Sequence, residues 1–378
     1  MSIRNNNLGS IVKPGFNALG AQTSVTTYTY EPWSWGKNNS GQLGLGDITN
    51  RSSPNQVGAL TTWLAFAGGA YHTLATKTDG TLWSWGYNNR GQLGLGNITD
   101  YSSPKQVGAL TTWSTIAGGY YYSIATKTDG TLWSWGRNNV GQLGDGTTIY
   151  RSSPVQVGAL TNWLNIAAWY TNTVAVKTDG TLWSWGRNNF GQLGDGTTTN
   201  RSSPVQVGAL TTWLKISCGY QRTVAVKTDG TLWSWGYNSN GQLGIGSTVS
   251  KSSPNQVGAL TTWLNIASGV DHTIAVKTDG TLWSWGIGTY GRLGLGNTTY
   301  YSSPVQIGSL TTWLVIAGGR FHTIATKSDG TLWSWGRNTV GQLGLGNTTS
   351  YSSPKQVGAL TTWLVIAAGY YQNIALKY

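Results

Sequence analysis

The chain has 378 residues, of which 54 are glycine and 22 tryptophan, with 10% charged residues and a formal net charge of +12. A single cysteine excludes a disulfide framework and a cysteine-based zinc site. One glutamate, Glu31, in a sequence rich in Thr, Val, Ile, Trp, Tyr and Gly excludes a protein of long helices.

Residues 1–28 carry neither the apolar run of a secretion signal nor a transmembrane helix. This polar leader is expected to anchor the chain in a larger assembly, such as a virion or surface appendage, or else to lie along its own domain. From residue 29 the sequence repeats. The tetrapeptide WSWG begins at Trp33, Trp83, Trp133, Trp183, Trp233, Trp283 and Trp333, a period of 50 without insertions. A second tryptophan follows the same period from Trp63 to Trp363. Such a period marks a solenoid, a propeller or an array.

Within the unit 63–108, strands are expected over 63–67, 72–78, 81–86 and about 105–108. Asp79-Gly80 predicts a two-residue type I′ hairpin with both residues at positive φ. Trp83 and Trp85 share one face at period two and are expected to pack between neighbouring sheets. Seven four-stranded units give an all-β, single closed seven-bladed β-propeller over 29–378. The C-terminal NIALKY stops where a DG turn would come, and YEPWSWG at residues 30–36 supplies the missing strand in phase. The last blade is therefore expected to join N- and C-terminal strands, whereas a solenoid would need polar caps.

The phrase W-G-x-N-x-x-G-Q-L-G from Trp35, Trp85, Trp135 and Trp185, then S-S-P, then G-G-x-x-H-T at 68–73 and 318–323, resembles the regulator-of-chromosome-condensation repeat family of seven-bladed propellers. The unvarying wording is more similar to bacterial and bacteriophage versions. One unit departs, with Gly288 and Arg292 replacing Asn and Gln. The resemblance implies guanine-nucleotide exchange on a small GTPase, with chromatin binding, as one activity. That activity depends on blade-specific features breaking the repeat, and these units are all of one length.

Following the strands up and down places two sets of loops at opposite ends of the propeller. The lower turns repeat. The upper loops vary: GGAYH, GGYYY, AWYTN, CGYQR, SGVDH, GGRFH and AGYYQ at one register, with Lys37, Tyr87, Arg137, Arg187, Tyr237, Ile287 and Arg337 after WG. Arg51, Tyr101, Arg151, Arg201, Lys251, Tyr301 and Tyr351 are read as a further part of these loops. Lower-end lysines and aspartates offset one another, leaving the positive balance mostly above. A fixed scaffold varied in Tyr, Arg and Trp has the composition of a recognition surface. Binding is expected through Tyr71, His72, Tyr121, Trp169, Tyr170, Tyr220, Arg222, Arg320, Phe321 and Tyr371. The expected function is non-enzymatic recognition of a cell-surface glycan or protein partner, as in host attachment. An intracellular regulator gripping a small GTPase or chromatin is the alternative, and single-stranded nucleic acid is a less favoured ligand.

No catalytic or cofactor constellation emerges. His72, His272 and His322 share a register and are expected to be structural rather than metal ligands. Asp271 and His272, as neighbours on a strand, point to opposite faces. Cys218 has no histidine in its unit, the GDGTT stretches at Asp145 and Asp195 lack the alternating oxygens of a calcium loop, and no phosphate-binding loop leads into a helix.

Overall fold

The structure, a computed structural model, describes residues 30–378; residues 1–29, and with them the expected anchor, lie outside the described residues. It is a ring of seven four-stranded antiparallel sheets. Blade one runs outward from the axis as Trp63–Gly68, His72–Lys77, Leu82–Gly86 and Tyr101–Gln106. Blades two to six repeat this order. The inner strands of successive blades, such as Trp63–Gly68 and Trp113–Gly118, lie against each other around the axis.

Blade seven closes the ring. It is built from Trp363–Ala368, Gln372–Lys377, Glu31–Gly36 and Arg51–Gln56. Glu31 pairs with Lys377 and Gly36 with Gln372 in unbroken register. The closing blade thus takes two strands from each end of the described chain, one more from the N-terminal side than the sequence suggested.

The fourth strand also differs from expectation. It spans 101–106 rather than 105–108, because Tyr101 already pairs with Gly86 across a register shift. Arg51, Tyr101 and their equivalents therefore open the outer strand and are not loop tips. Proline at its fourth position (Pro54, Pro104) fits an outer strand whose far edge has no ladder to donate to.

The hairpin at Asp79-Gly80 is a three-residue turn, not type I′. Only Gly80 has positive φ (77°), and a Cβ there would lie 2.0 Å from the Thr111 carbonyl oxygen. Asp79 Oδ1 accepts from Thr81 N (2.9 Å) and Thr81 Oγ1 (2.6 Å), and Thr81 Oγ1 accepts from Trp83 Nε1 (2.9 Å). Side-chain bonding to the local backbone favours the type I turn plus left-handed residue over the mirror-image turn.

The core lies between blades. Trp85 is fully buried, and its Nε1 donates to the Gln42 carbonyl of the preceding blade (3.0 Å), which also accepts from Thr73 Oγ1 (2.8 Å). Gly44 lets that loop approach: a Cβ on it would meet Trp85 Nε1 at 2.7 Å. Trp63 meets Trp83 and Trp85 edge-on, each at 5.9 Å. By area, each buried indole contributes about 4–6 kcal/mol of transfer free energy before entropy is subtracted. At the lower end, Lys77 Nζ lies 3.8 Å above the Trp83 ring centroid and 4.8 Å from that of Trp63. The same Lys–Trp sandwich recurs from Lys127 to Lys327.

Candidate functional site at the upper mouth

The loops joining inner and second strands converge at the upper end of the axis. Backbone bonds tie them together there: Ala70 N donates to Gly119 O (3.1 Å), Tyr220 N to Val270 O (3.1 Å) and Arg320 N to Tyr370 O (3.0 Å). The side chains where these loops enter the second strands then divide into two layers.

The first residue of each second strand points down between blades. His72, Tyr122, Asn172, Arg222, His272, His322 and Gln372 are all at most 2% exposed. Most bond the following blade. His72 Nε2 meets Ser123 Oγ (2.9 Å), His272 Nε2 meets Thr323 Oγ1 (2.9 Å), and His322 Nε2 donates to Asn373 Oδ1 (2.8 Å). The Tyr122 hydroxyl donates to Asn172 O (2.7 Å), Arg222 Nη2 to Gly269 O (3.1 Å), and Gln372 Nε2 to Gly69 O (2.9 Å). Asn172 is buried with no hydrogen bond from its amide. Burial lowers the imidazole pKa to about 3 for His72 and about 4 for His322, so both are neutral. Burial also pulls the Arg222 guanidinium down to about 10, still charged at neutral pH. The three histidines are thus blade-to-blade ties, as their shared register suggested.

Residues one or two positions before this layer form an aromatic collar. Tyr71, Tyr121, Tyr170, Tyr220, Arg320, Phe321 and Tyr371 are half-buried. Tyr71 stacks on Tyr121 (5.9 Å) and lies 5.7 Å from Tyr370, and Tyr170 packs on Tyr220 (4.6 Å). Tyr120 crosses blade one, where Ala70 leaves room, to meet Tyr370 at 5.5 Å. Burial and then neighbouring tyrosines hold the Tyr71 and Tyr121 hydroxyls well above the usual phenol range, so they act as neutral donors.

Of the ten sequence-chosen contact residues, seven thus gather around one mouth. His72, Trp169 and Arg222 do not face solvent; Trp169 ends a longer inner strand, Trp163–Trp169, and is 8% exposed. His72 and Arg222 open strands that are buried on both faces, so every side chain from that position inward is covered. Sequence selection also missed Tyr120 and Tyr370, which hold the collar together.

Charge is distributed more narrowly than loop counting implied. Arg151 and Arg201 pair with Asp145 (3.0 Å) and Asp195 (2.9 Å) at the outer margin. Asp145 also accepts from Thr147 and Asn138, so these GDGTT loops are satisfied internally. Basic groups near the collar remain: Lys37 lies 5.5 Å from the Tyr71 and Tyr371 rings, and Arg137 6.0 Å from that of Tyr121. Asp271, in blade five, is raised by burial, while Arg222, Arg292 and Arg320 pull it down. Cys218 is buried, which pushes its thiol up to about 12. Among the described residues no His, Cys, Asp and Glu side chains cluster as a metal site, and no helix is long and apolar enough to cross a membrane.

No curated protein sequence matches this chain. Its fold is similar to that of Prp20p from Saccharomyces cerevisiae, with 22% identity over 93% of this chain and 92% of that one and a TM-score of 0.84. Yeast RCC1 (Prp20) bound to Kap60 matches at 19% identity over 96% of both chains, TM-score 0.84. Human WBSCR16 matches at 22% over 93% and 99%, TM-score 0.83. Regulator of chromosome condensation (RCC1) repeats match residues 33–76, 79–126 and 129–176, and the RCC1-like domain matches 165–378. With its residues matched almost throughout, the chain belongs to the RCC1 repeat family.

Proposed function

We propose that the protein is a non-catalytic, protein-binding propeller that engages an acidic partner surface through its upper face. The collar carries this reading: aromatic and arginine side chains, different in each blade, gather half-buried around one mouth, while the lower end repeats. Tyr and Arg are the residue types enriched at the energetic centres of protein interfaces. Relatives support a protein partner, since Prp20p was characterised for its binding properties to Gsp1p and histones. A regulator of a small GTPase or a chromatin protein is therefore favoured over host attachment through a glycan, for which the relatives supply no support. Packing argues the same way. A sugar stacks on a free ring face, and the collar rings spend theirs on one another. Anchoring through residues 1–28 stays a proposal about a segment outside the described residues.

The test uses the full chain against a panel of small GTPases carrying fluorescent nucleotide, reading binding and nucleotide release, with the strongly basic core histones as the arm whose tighter binding would overturn the acidic-partner reading. Tyr121→Ala with Arg337→Gln should weaken binding at least about tenfold. Lys127→Gln with Lys177→Gln, at the lower end, should leave it unchanged. Equal losses from both pairs would show that the wrong face has been chosen.

A further inference from the structure

The one unit that departs from the repeat does so at a structural expense. In the six other units a glutamine accepts, through Oε1, the backbone N–H two residues before it, as Gln92 does from Arg90 N (2.9 Å) and Gln342 from Val340 N (3.0 Å). Arg292 has no acceptor to offer. Its Nε instead donates to Thr289 O (2.9 Å), and the loop tightens into a short turn with Tyr290 at φ 63°, a left-handed conformation unusual for a tyrosine. The backbone duty of the position survives, for the Arg292 carbonyl still accepts from Trp335 Nε1 and Thr323 Oγ1, both at 3.0 Å. The substitution sets a buried guanidinium against Phe321 of the neighbouring blade and brings a backbone outlier with it, and such outliers cluster at functional sites.

What it adds is charge at the mouth. The Arg292 side chain is 2% exposed, and its Cζ lies 4.6 Å from the Phe321 ring centroid. Arg320 lies 4.4 Å and Arg337 5.4 Å from the same centroid. Asp271 is the carboxylate at this cluster, at 4.0 Å from Arg292 Nη1, beyond hydrogen-bond length. Arg292 Nη1 and Arg320 Nε are buried without a hydrogen-bond partner. Three guanidiniums against one carboxylate leave an uncompensated positive site with unused donors, a costly arrangement unless an anion completes it.

We infer that Arg292, Arg320 and Arg337, around Phe321, form a seat for carboxylate side chains of an acidic protein segment. Asp271 already occupies a place of that kind beside Arg292, and guanidiniums take carboxylates through paired N–H donors. This rests on the reading that the upper face binds an acidic partner.

The probe is a fluorescein-labelled hexaglutamate peptide titrated into the full chain by anisotropy. Arg292→Gln restores the residue of the other units, so folding is not at risk; its melting temperature should equal or exceed that of the parent. Affinity for hexaglutamate should fall at least about tenfold in Arg292→Gln, with no change in Arg201→Gln, whose guanidinium is paired with Asp195. An unchanged affinity in Arg292→Gln, equal small losses in Arg292→Gln and Arg187→Gln, or no binding to the parent chain would each overturn the seat. Displacement of the peptide by inorganic phosphate at a lower concentration than by free glutamate oligomer would overturn the carboxylate assignment. A protein partner lost on Tyr121→Ala but retained by Arg292→Gln would overturn the seat while leaving the upper-face reading intact.

Discussion

The two ends of this propeller solve the same structural problem in opposite ways. The lower end repeats one solution: the Asp–Thr–Trp hydrogen-bond relay and the Lys–Trp sandwich recur blade after blade. Between the hairpins, Leu60, Leu110 and their equivalents through Leu360 stand 45–53% exposed, again in every blade. The upper end varies its equivalent positions, with imidazole in three blades, amide in two, and phenol and guanidinium in one each, all but Asn172 hydrogen-bonded to the next blade. The difference teaches that variation within a repeat is not itself a mark of exposure. Lower-end side chains bond within their own unit, where a fixed sequence meets a fixed environment. Upper-layer side chains bond the neighbouring unit, so each needs only to suit one partner.

The largest effect expected is on the closure both ends share. Deleting Asn373–Tyr378 removes most of the strand lying between Trp363–Ala368 and Glu31–Gly36. That leaves two unpaired inner edges, and cooperative thermal unfolding followed by circular dichroism should be lost or shifted down sharply. A melting curve like the parent's would contradict the closed ring.

Next comes the buried upper layer against the lower end. Arg222→Ala empties a fully buried site and strips hydrogen bonds from the Gly269 and Val270 carbonyls. It should cost about 3–5 kcal/mol in urea unfolding. Lys127→Gln, which removes only a cation over indole rings, should cost about 1 kcal/mol. Comparable losses would erase the distinction drawn between the layers.

The smallest effect is a difference in pH window. Imidazoles held below their ordinary 6.5 contribute stability that is fully present above pH 6.5. It is lost as pH falls, down to about 4 for His322 and about 3 for His72. The slope is about 1.4 kcal/mol per pH unit for each histidine. Lower-end aspartates such as Asp79 are held below 3.8, chiefly by the Thr81 hydroxyl, so their contribution is lost only in stronger acid. His322→Gln, using the residue blade seven has at Gln372, should flatten the stability profile between pH 6 and 4.5 by about one proton's share. A profile parallel to the parent's would show that His322 is not neutral in the fold.

By itself the sequence determined the period, the number of blades, the closing of the last blade and the burial of the tryptophans. Those features repeat at a fixed spacing and rest on contacts within a unit or with an identical neighbour, so pattern alone exposes them. The tertiary structure decided which varied residues face solvent. His72 and Tyr71 are adjacent in sequence, yet one ties blades together and the other forms the collar, because the strand alternates its side chains as it leaves the loop. It also decided that Tyr120 reaches Tyr370 across blade one, and that Arg292, Arg320 and Arg337 meet at Phe321. Tyr120 and Tyr370 stand 250 residues apart and meet only because the ring closes, whereas the three arginines meet because the long loop of blade five, which holds Arg292, reaches the neighbouring blade.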